Sequence, residues 1–209
     1  MKKCILVVVC LTVLASGGFA LDKTIGGGLM YNAGFTNWDW DLNNSPLGDT
    51  WEFEMSRNGF GLFAFFGVSQ FFELNLGLLF KNPDTMKVTI TYDDGTKESG
   101  SFSASDLGLD GAAALQLGIY FKIPIPISTA LVFFPTVGTD LELTLDEDWW
   151  SDFWLRAGVG LDIFLSERMF LRGHAIYGIA LPFGSDIFDD ANTVFGHGLL
   201  IKFGIGWML

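Results

Sequence analysis

The chain of 209 residues is 50% hydrophobic and 17% charged and carries 21 phenylalanines, which is too apolar for disorder and long enough for one domain. Its formal net charge of −12, from 12 Lys and Arg against 24 Asp and Glu, excludes a phosphate-backbone partner, because such a partner needs clustered cations to displace its counterions. Nucleic acid is therefore not expected to bind.

The chain opens with Met1, Lys2 and Lys3, continues with an apolar run from Cys4 to Leu14, and reaches the small-x-small pattern Gly18-Phe19-Ala20. That order is a secretory signal peptide, residues 1–20, cut after Ala20, with 21–209 as the exported domain. The apolar run would rise only about 16 Å as a helix, roughly half of a bilayer core, which argues against an uncleaved anchor. Cleavage removes both cysteines and two lysines, leaving ten basic against 24 acidic residues and a net charge of −14. Without disulfides, stability must come from a large core or from lipid.

Beyond Ala20 no uninterrupted run of about 20 apolar residues occurs. The nearest, from Ile123 to Val137, is broken by Pro124, Pro126 and Pro135, which excludes a multi-pass helical protein. Period two recurs instead. Phe72, Leu74, Leu76, Leu78 and Phe80 share one face, with Glu73, Asn75, Gly77, Leu79 and Lys81 on the other, as in a strand with one apolar side. The same alternation marks the run from Leu107 to Lys122, the run from Phe153 to Ile163, and the ending, where Leu199, Ile201, Phe203, Ile205, Trp207 and Leu209 oppose Leu200, Lys202, Gly204 and Gly206.

Strands are predicted near residues 24–35, 56–68, 71–81, 105–123, 129–145, 153–163, 168–181 and 194–209. Their connections alternate: short at Ser69-Gln70, Pro124–Ser128 and Phe164–Glu167, long at 36–55, 82–104, 146–152 and 182–193. An even strand count with short turns at one end and long loops at the other predicts an all-β, closed, eight-stranded antiparallel up-and-down transmembrane β-barrel. Closure is required because in hydrocarbon an open edge would leave a row of N–H and C=O groups unpaired. Pro135 has no donor for such a ladder and is expected at a bulge or a lost bond.

With the signal peptide, the eight segments and the ending Lys202-Phe203-Gly204-Ile205-Gly206-Trp207-Met208-Leu209 in view, the chain resembles the small outer-membrane barrels of OmpA, OmpX and OmpW type over all its exported residues. The resemblance implies residence in the bacterial outer membrane and handling by the barrel-assembly machinery. In that family the last strand usually ends in Phe; here Leu209 is terminal and Trp207 is the nearest aromatic. OmpW-like proteins also imply a lumen that passes small apolar molecules.

If the apolar faces meet lipid, the inward faces carry Glu73, Asp110, Asp140, Glu142 and Asp162 against Lys81, Lys122, Arg156, Arg172 and Lys202. Heights above the short turns place Glu73 near Lys122, Asp162 near Arg172, and Arg156 near Asp140 or Glu142, predicting cross-strand ion pairs. An eight-stranded interior is just wide enough for side chains to fill, so a charge-satisfied plug is expected over a selectivity ring. Inward glycines either leave space or make room for Phe63, Phe65, Tyr120 and Trp154.

Most acids fall in or beside the long loops, with Asp146-Glu147-Asp148 the densest cluster. A solvated acidic rim is expected rather than a calcium loop, whose ordered spacing and Gly are missing. Trp38, Trp40, Trp51, Trp149, Trp150 and Trp154, with Trp207 in the last strand, are read as an interfacial aromatic girdle. Asp93-Asp94-Gly95 between two period-two arms predicts a hairpin that extends as a β-ribbon above the membrane, the contact element for a partner. The only histidines, His174 and His197, have no Ser at useful spacing, and HExxH, G-x-S-x-G and phosphate loops are absent. No enzyme, cofactor or metal is expected.

The expected protein is a monomeric outer-membrane barrel with acidic, aromatic-rich surface loops, a filled lumen and a structural or adhesive role. The alternative is a narrow channel or binder for small apolar solutes. A soluble lipocalin-like barrel would need the opposite orientation, with a wet exterior.

Overall fold

The computed structural model describes residues 23–41, 50–92, 94–107, 111–146, 150–183 and 193–209. These form β1 (Thr24–Asp41), β2 (Thr50–Gly67), β3 (Phe72–Thr91), β4 (Lys97–Ser103), β5 (Ala112–Lys122), β6 (Ile125–Ser128), β7 (Leu131–Thr144), β8 (Ser151–Phe164), β9 (Met169–Phe183) and β10 (Thr193–Met208), with a 3-10 turn at Ala104–Leu107. The expected signal peptide lies outside the described residues, as do Asp110 and Trp149.

Every pairing is antiparallel, and the order β2-β1-β10-β9-β8-β7-β5-β3 is closed by β2 pairing with β3. This is a closed ring of eight strands. The fold class is the one the alternation predicts, because only a closed ring leaves no edge in its wall. β4 and β6 are outgrowths: β4 prolongs the sheet on the upper half of β3, and β6 pairs with the first residues of β7. No helix among the described residues is long and apolar enough to cross a membrane.

The alternation sets the two faces. Along β3, Leu76 and Phe80 are 51% and 53% exposed while Glu73 and Lys81 are each 2% exposed. Along β10, Ile201, Phe203 and Trp207 are exposed, while Leu200 and Lys202 are buried. An apolar outer wall around a polar interior is the solution a strand ring finds in hydrocarbon, where its surface meets acyl chains and its charges meet each other. The opposite, soluble-barrel orientation is contradicted by this placement.

Strand limits depart from the sequence reading at the long-loop end. β1, β2 and β3 run on past residues 35, 56 and 81, so β1 and β2 stay paired up to Asp41 and Thr50. The fourth ring strand starts at Ala112, not at residue 105, because the preceding segment turns at Ala104–Leu107 after pairing as β4. Between Ser56 and Arg57 the β2–β3 register shifts, so that Arg57 faces Pro83 and Ser56 faces Thr85, with Asp84 the extra residue. Such a bulge changes which side chains of the bulged strand look inward, and Met86 thereby joins the interior cluster around Trp38 and Met55.

Pro135 sits where one neighbour changes. Lys122 of β5 pairs with Thr136, Ile125 of β6 pairs with Phe133, and Ile123 and Pro124 lie between the two strands. The Pro135 carbonyl accepts from the Ile123 N–H at 3.1 Å. In an antiparallel strand a residue's nitrogen and carbonyl oxygen face the same neighbour, so the missing N–H points at this break rather than at the continuous ladder with β8.

Candidate functional site: the charged lumen

The inner faces stack charges in layers. Nearest the short turns, Glu73 of β3 accepts from Lys122 Nζ of β5 at 2.9 Å and from Asn75 Nδ2 at 3.0 Å. The same carboxylate accepts from Arg172 Nη1 of β9. Arg172 also donates through Nε and Nη2 to the two oxygens of Asp162 on β8, both at 2.7 Å, the bidentate geometry that makes guanidinium–carboxylate pairs strong. Around the ring, β3 and β9 are four strands apart in either direction. The contact between Glu73 and Arg172 therefore crosses the whole diameter.

Aromatic rings wall this layer. The Arg172 guanidinium lies 4.4 Å from the Phe65 centroid, 5.0 Å from Phe170 and 5.2 Å from Phe134. Space for two of these rings comes from glycine: a Cβ at Gly160 would collide with the Phe134 ring, and one at Gly206 with Phe170. The inward glycines make room for large side chains, as a filled small barrel requires.

In the next layer Asp140 of β7 accepts from Tyr120 OH and, at 3.3 Å, from Gln116 Nε2, both on β5. Arg156 Nε of β8 stands 2.6 Å from the same oxygen at ion-pair distance, and its guanidinium carbon lies 4.0 Å from the Trp154 ring centroid. Lys202 Nζ of β10 donates to Asn75 Oδ1 at 3.0 Å and sits 4.8 Å from the Tyr120 ring. His174 is buried beside it, between the Tyr120 and Phe134 rings. His197 lies on the outer face, where it stacks on Phe35 with centroids 5.2 Å apart and its Nδ1 is 3.0 Å from Tyr177 OH.

Toward the long loops, Lys81 of β3 reaches Glu142 at 2.5 Å, Asp152 at 3.2 Å and the Thr144 hydroxyl at 3.3 Å. Arg57 of β2 stands 2.7 Å from Asp152 of β8, again four strands away in both directions. Sequence reasoning missed both residues. Asp152 closes the 146–152 connection in sequence, although its parity with Trp154 and Arg156 marks it as inward, and Arg57 shares the parity of Gly59 and Phe63.

The tryptophan girdle needs correction. Trp38, Trp150 and Trp154 are buried inside the barrel, and Trp40 pairs in register with Trp51 on the inner face. Phe53 gathers them, with centroids 5.3 Å from Trp38, 4.8 Å from Trp40 and 6.2 Å from Trp51. They form an inner aromatic collar above the charges. The reason is alternation: Asp39, Glu52 and Glu54 take the outer positions and must stay in water, which turns the intervening rings inward. Trp207 alone of the described tryptophans is exposed on the outer wall.

Outside the ring, β3 and β4 form the expected ribbon, joined at Gly95, which adopts the positive φ of 80° that a turn of this kind uses. Asp94 accepts from the Thr96 hydroxyl and backbone N–H, which hold its carboxyl below the usual range, and Tyr92 donates to Glu98 at 3.0 Å, raising the phenol. A groove of about 320 Å³ on this outer face is lined by Asp39, Glu52, Glu54 and Lys87 among others. Of the cluster Asp146-Glu147-Asp148, the last two lie outside the described residues. Among the described residues no group of three or more metal-binding side chains converges.

No protein-family model and no curated protein matches the chain. Among solved structures it is similar to the outer membrane protein OprG from Pseudomonas aeruginosa, at 13% identity, covering 92% of this chain and 98% of that one, with a TM-score of 0.47. It is also similar to the outer membrane protease OmpT from Escherichia coli, at 7% identity, covering 94% and 100% of the two chains, with a TM-score of 0.40. The chain's own ring closure and two-faced strands make its architecture that of a small outer-membrane β-barrel.

Proposed function

We propose that this chain is a monomeric barrel of the bacterial outer membrane, exported by a signal peptide at 1–20 and inserted by the barrel-assembly machinery. Its lumen is filled, and its role is structural or adhesive, exercised through the acidic ribbon and loops. The observation that carries this reading is the pair of ion contacts across the full diameter, Glu73 with Arg172 and Arg57 with Asp152. Charges buried this deeply are costly to separate, so the two ties act as crossbars and the interior behaves as a core. Neither catalysis nor a cofactor enters this reading.

The aromatic collar of Trp38, Phe53 and Trp150 favours a second reading, a narrow conduit for small apolar solutes that starts at this mouth. Single-channel recording in planar bilayers separates the two. The filled barrel is expected to give no reproducible conductance steps, and truncating both crossbars with Arg172→Ala and Arg57→Ala is expected to produce them. Steps from the unaltered protein would overturn the filled-lumen reading.

A further inference from the structure

Among the described residues, the exposed charges at the short-turn end lie on one side of the ring: Lys23, Glu167 and Arg168. The end of β10 holds two of them in place, as the Leu209 N–H donates to the Lys23 carbonyl and the Met208 N–H to the Arg168 carbonyl, each at 2.8 Å. β5 stands four strands from β10 in either direction. On that opposite side the hairpin formed by β6 and the start of β7 has no charged residue from Ile123 to Thr139.

The outer face of this hairpin is apolar to its tip. The outer row of β3 ends at Phe72, opposite Phe121, whereas the row of β5 and β6 goes on through Ile123, Ile125 and Ile127, about 20 Å of further strand. These three isoleucines are 48%, 45% and 61% exposed. Phe71 and Phe72 pack on Phe121 with ring centroids 6.2 and 5.3 Å away, so wall and hairpin form one continuous surface.

The edge beside this face has lost its donors. The Lys122 N–H donates to the Phe71 carbonyl and the Ile123 N–H to the Pro135 carbonyl, and the same register with β7 continues through Ile125 opposite Phe133 and Pro126 opposite Val132. In an antiparallel strand each residue turns both backbone groups to one neighbour, and successive residues alternate. Residues 124 and 126 therefore turn theirs to the side where β6 has no partner strand among the described residues, and both are proline. An open edge in hydrocarbon leaves N–H and C=O groups unpaired. The prolines remove half of those groups and deny an added strand the donors it would need.

We infer that the β6–β7 hairpin is a lipid-binding wedge: its isoleucine face lies among the acyl chains of the leaflet at the short-turn end, while Lys23, Glu167 and Arg168 across the ring stay among headgroups and water. A charge-free face continuous with the outer wall, beside an edge without donors, suits acyl chains and gives a protein neither ion pairs nor a strand to extend. The inference rests on the membrane-barrel reading above and adds how deep one side of that barrel sits.

The test uses residues 21–209, which contain no cysteine, refolded in phosphatidylcholine vesicles with a nitroxide attached at Ile127→Cys, and at Ile125→Cys should the first label hinder folding. Leu76→Cys on the wall and Glu167→Cys at the charged turn serve as references. Power saturation reads collisions with oxygen, which enters oil, and with a nickel chelate, which stays in water. The hairpin label is expected to behave as Leu76 does, with frequent oxygen collisions and nickel collisions several-fold below those at Glu167. Nickel access equal to that at Glu167, with Leu76 still shielded, would put the hairpin in water, as a site awaiting a protein partner requires, and overturn this inference alone. A label shielded from oxygen and nickel alike would show contact between two copies and overturn it as well. Nickel access at Leu76 would overturn the membrane-barrel reading and the wedge together.

Discussion

The two crossbars of the lumen are built differently. Near the short turns, Asp162 accepts a bidentate pair from Arg172, its one directly bonded cation among the described residues, while Arg172 also crosses to Glu73. Near the long loops, Asp152 is shared by Arg57 and Lys81, and Lys81 also serves Glu142. In the first layer Asp162 has a single directly bonded cation among the described residues; in the second Asp152 has two. The Arg57 and Arg156 guanidiniums meet their carboxylates at ion-pair distance with poor hydrogen-bond alignment among the described residues. Charge burial is thus secured by geometry at one end and by number at the other.

The largest effect is expected at the aligned end. Arg172→Ala removes the one cation bonded directly to Asp162 among the described residues, leaving only the more distant Lys122, at a cost of about 3–5 kcal/mol, read as a lower midpoint in urea unfolding of the detergent-folded barrel. Adding Asp162→Asn should recover part of that loss; no recovery would mean that the arginine acts through packing against Phe65 and Phe170. On the outside of the same wall, Leu76→Arg is expected to cost about 2–4 kcal/mol if the position faces the bilayer midplane. A neutral result would mean that the outer face does not meet lipid.

At the redundant end, Arg57→Ala should cost less than Arg172→Ala, because Asp152 keeps the Lys81 ammonium at 3.2 Å. Equality with Arg172→Ala would erase the contrast between the layers. The smallest change is spectroscopic. Brominated acyl chains should quench Trp207 in a single-tryptophan variant and leave Trp154 bright, and quenching of both would return the tryptophans to a girdle.

Alternation alone makes Phe72–Lys81 readable as a two-faced strand, and distance from the short turns suffices to bring Glu73 to Lys122 and Asp162 to Arg172, because both pairs lie on adjacent strands. Contacts across the diameter depend on ring closure and are invisible to local spacing. Arg57 keeps the inward parity of its own strand, but its carboxylate partner lies on β8, four strands away, where spacing along neighbouring strands does not reach. Asp152 reads as a loop residue only because β8 begins earlier than its apolar alternation. The tryptophans were misplaced because composition says where aromatic rings are useful, whereas the carboxylates between them decide which way the rings turn. The role of Asp110 falls outside the described residues.

The crossbars also bear on assembly. Arg57 belongs to the second strand made, yet its carboxylate arrives only with β8, and Arg172 reaches Glu73 only from β9. A partly inserted sheet would drag solitary ions toward oil, so hydration of the half-built interior and late docking of the final strands become one event. The unfinished wall is kept wet, and its zipping shut is what dries it.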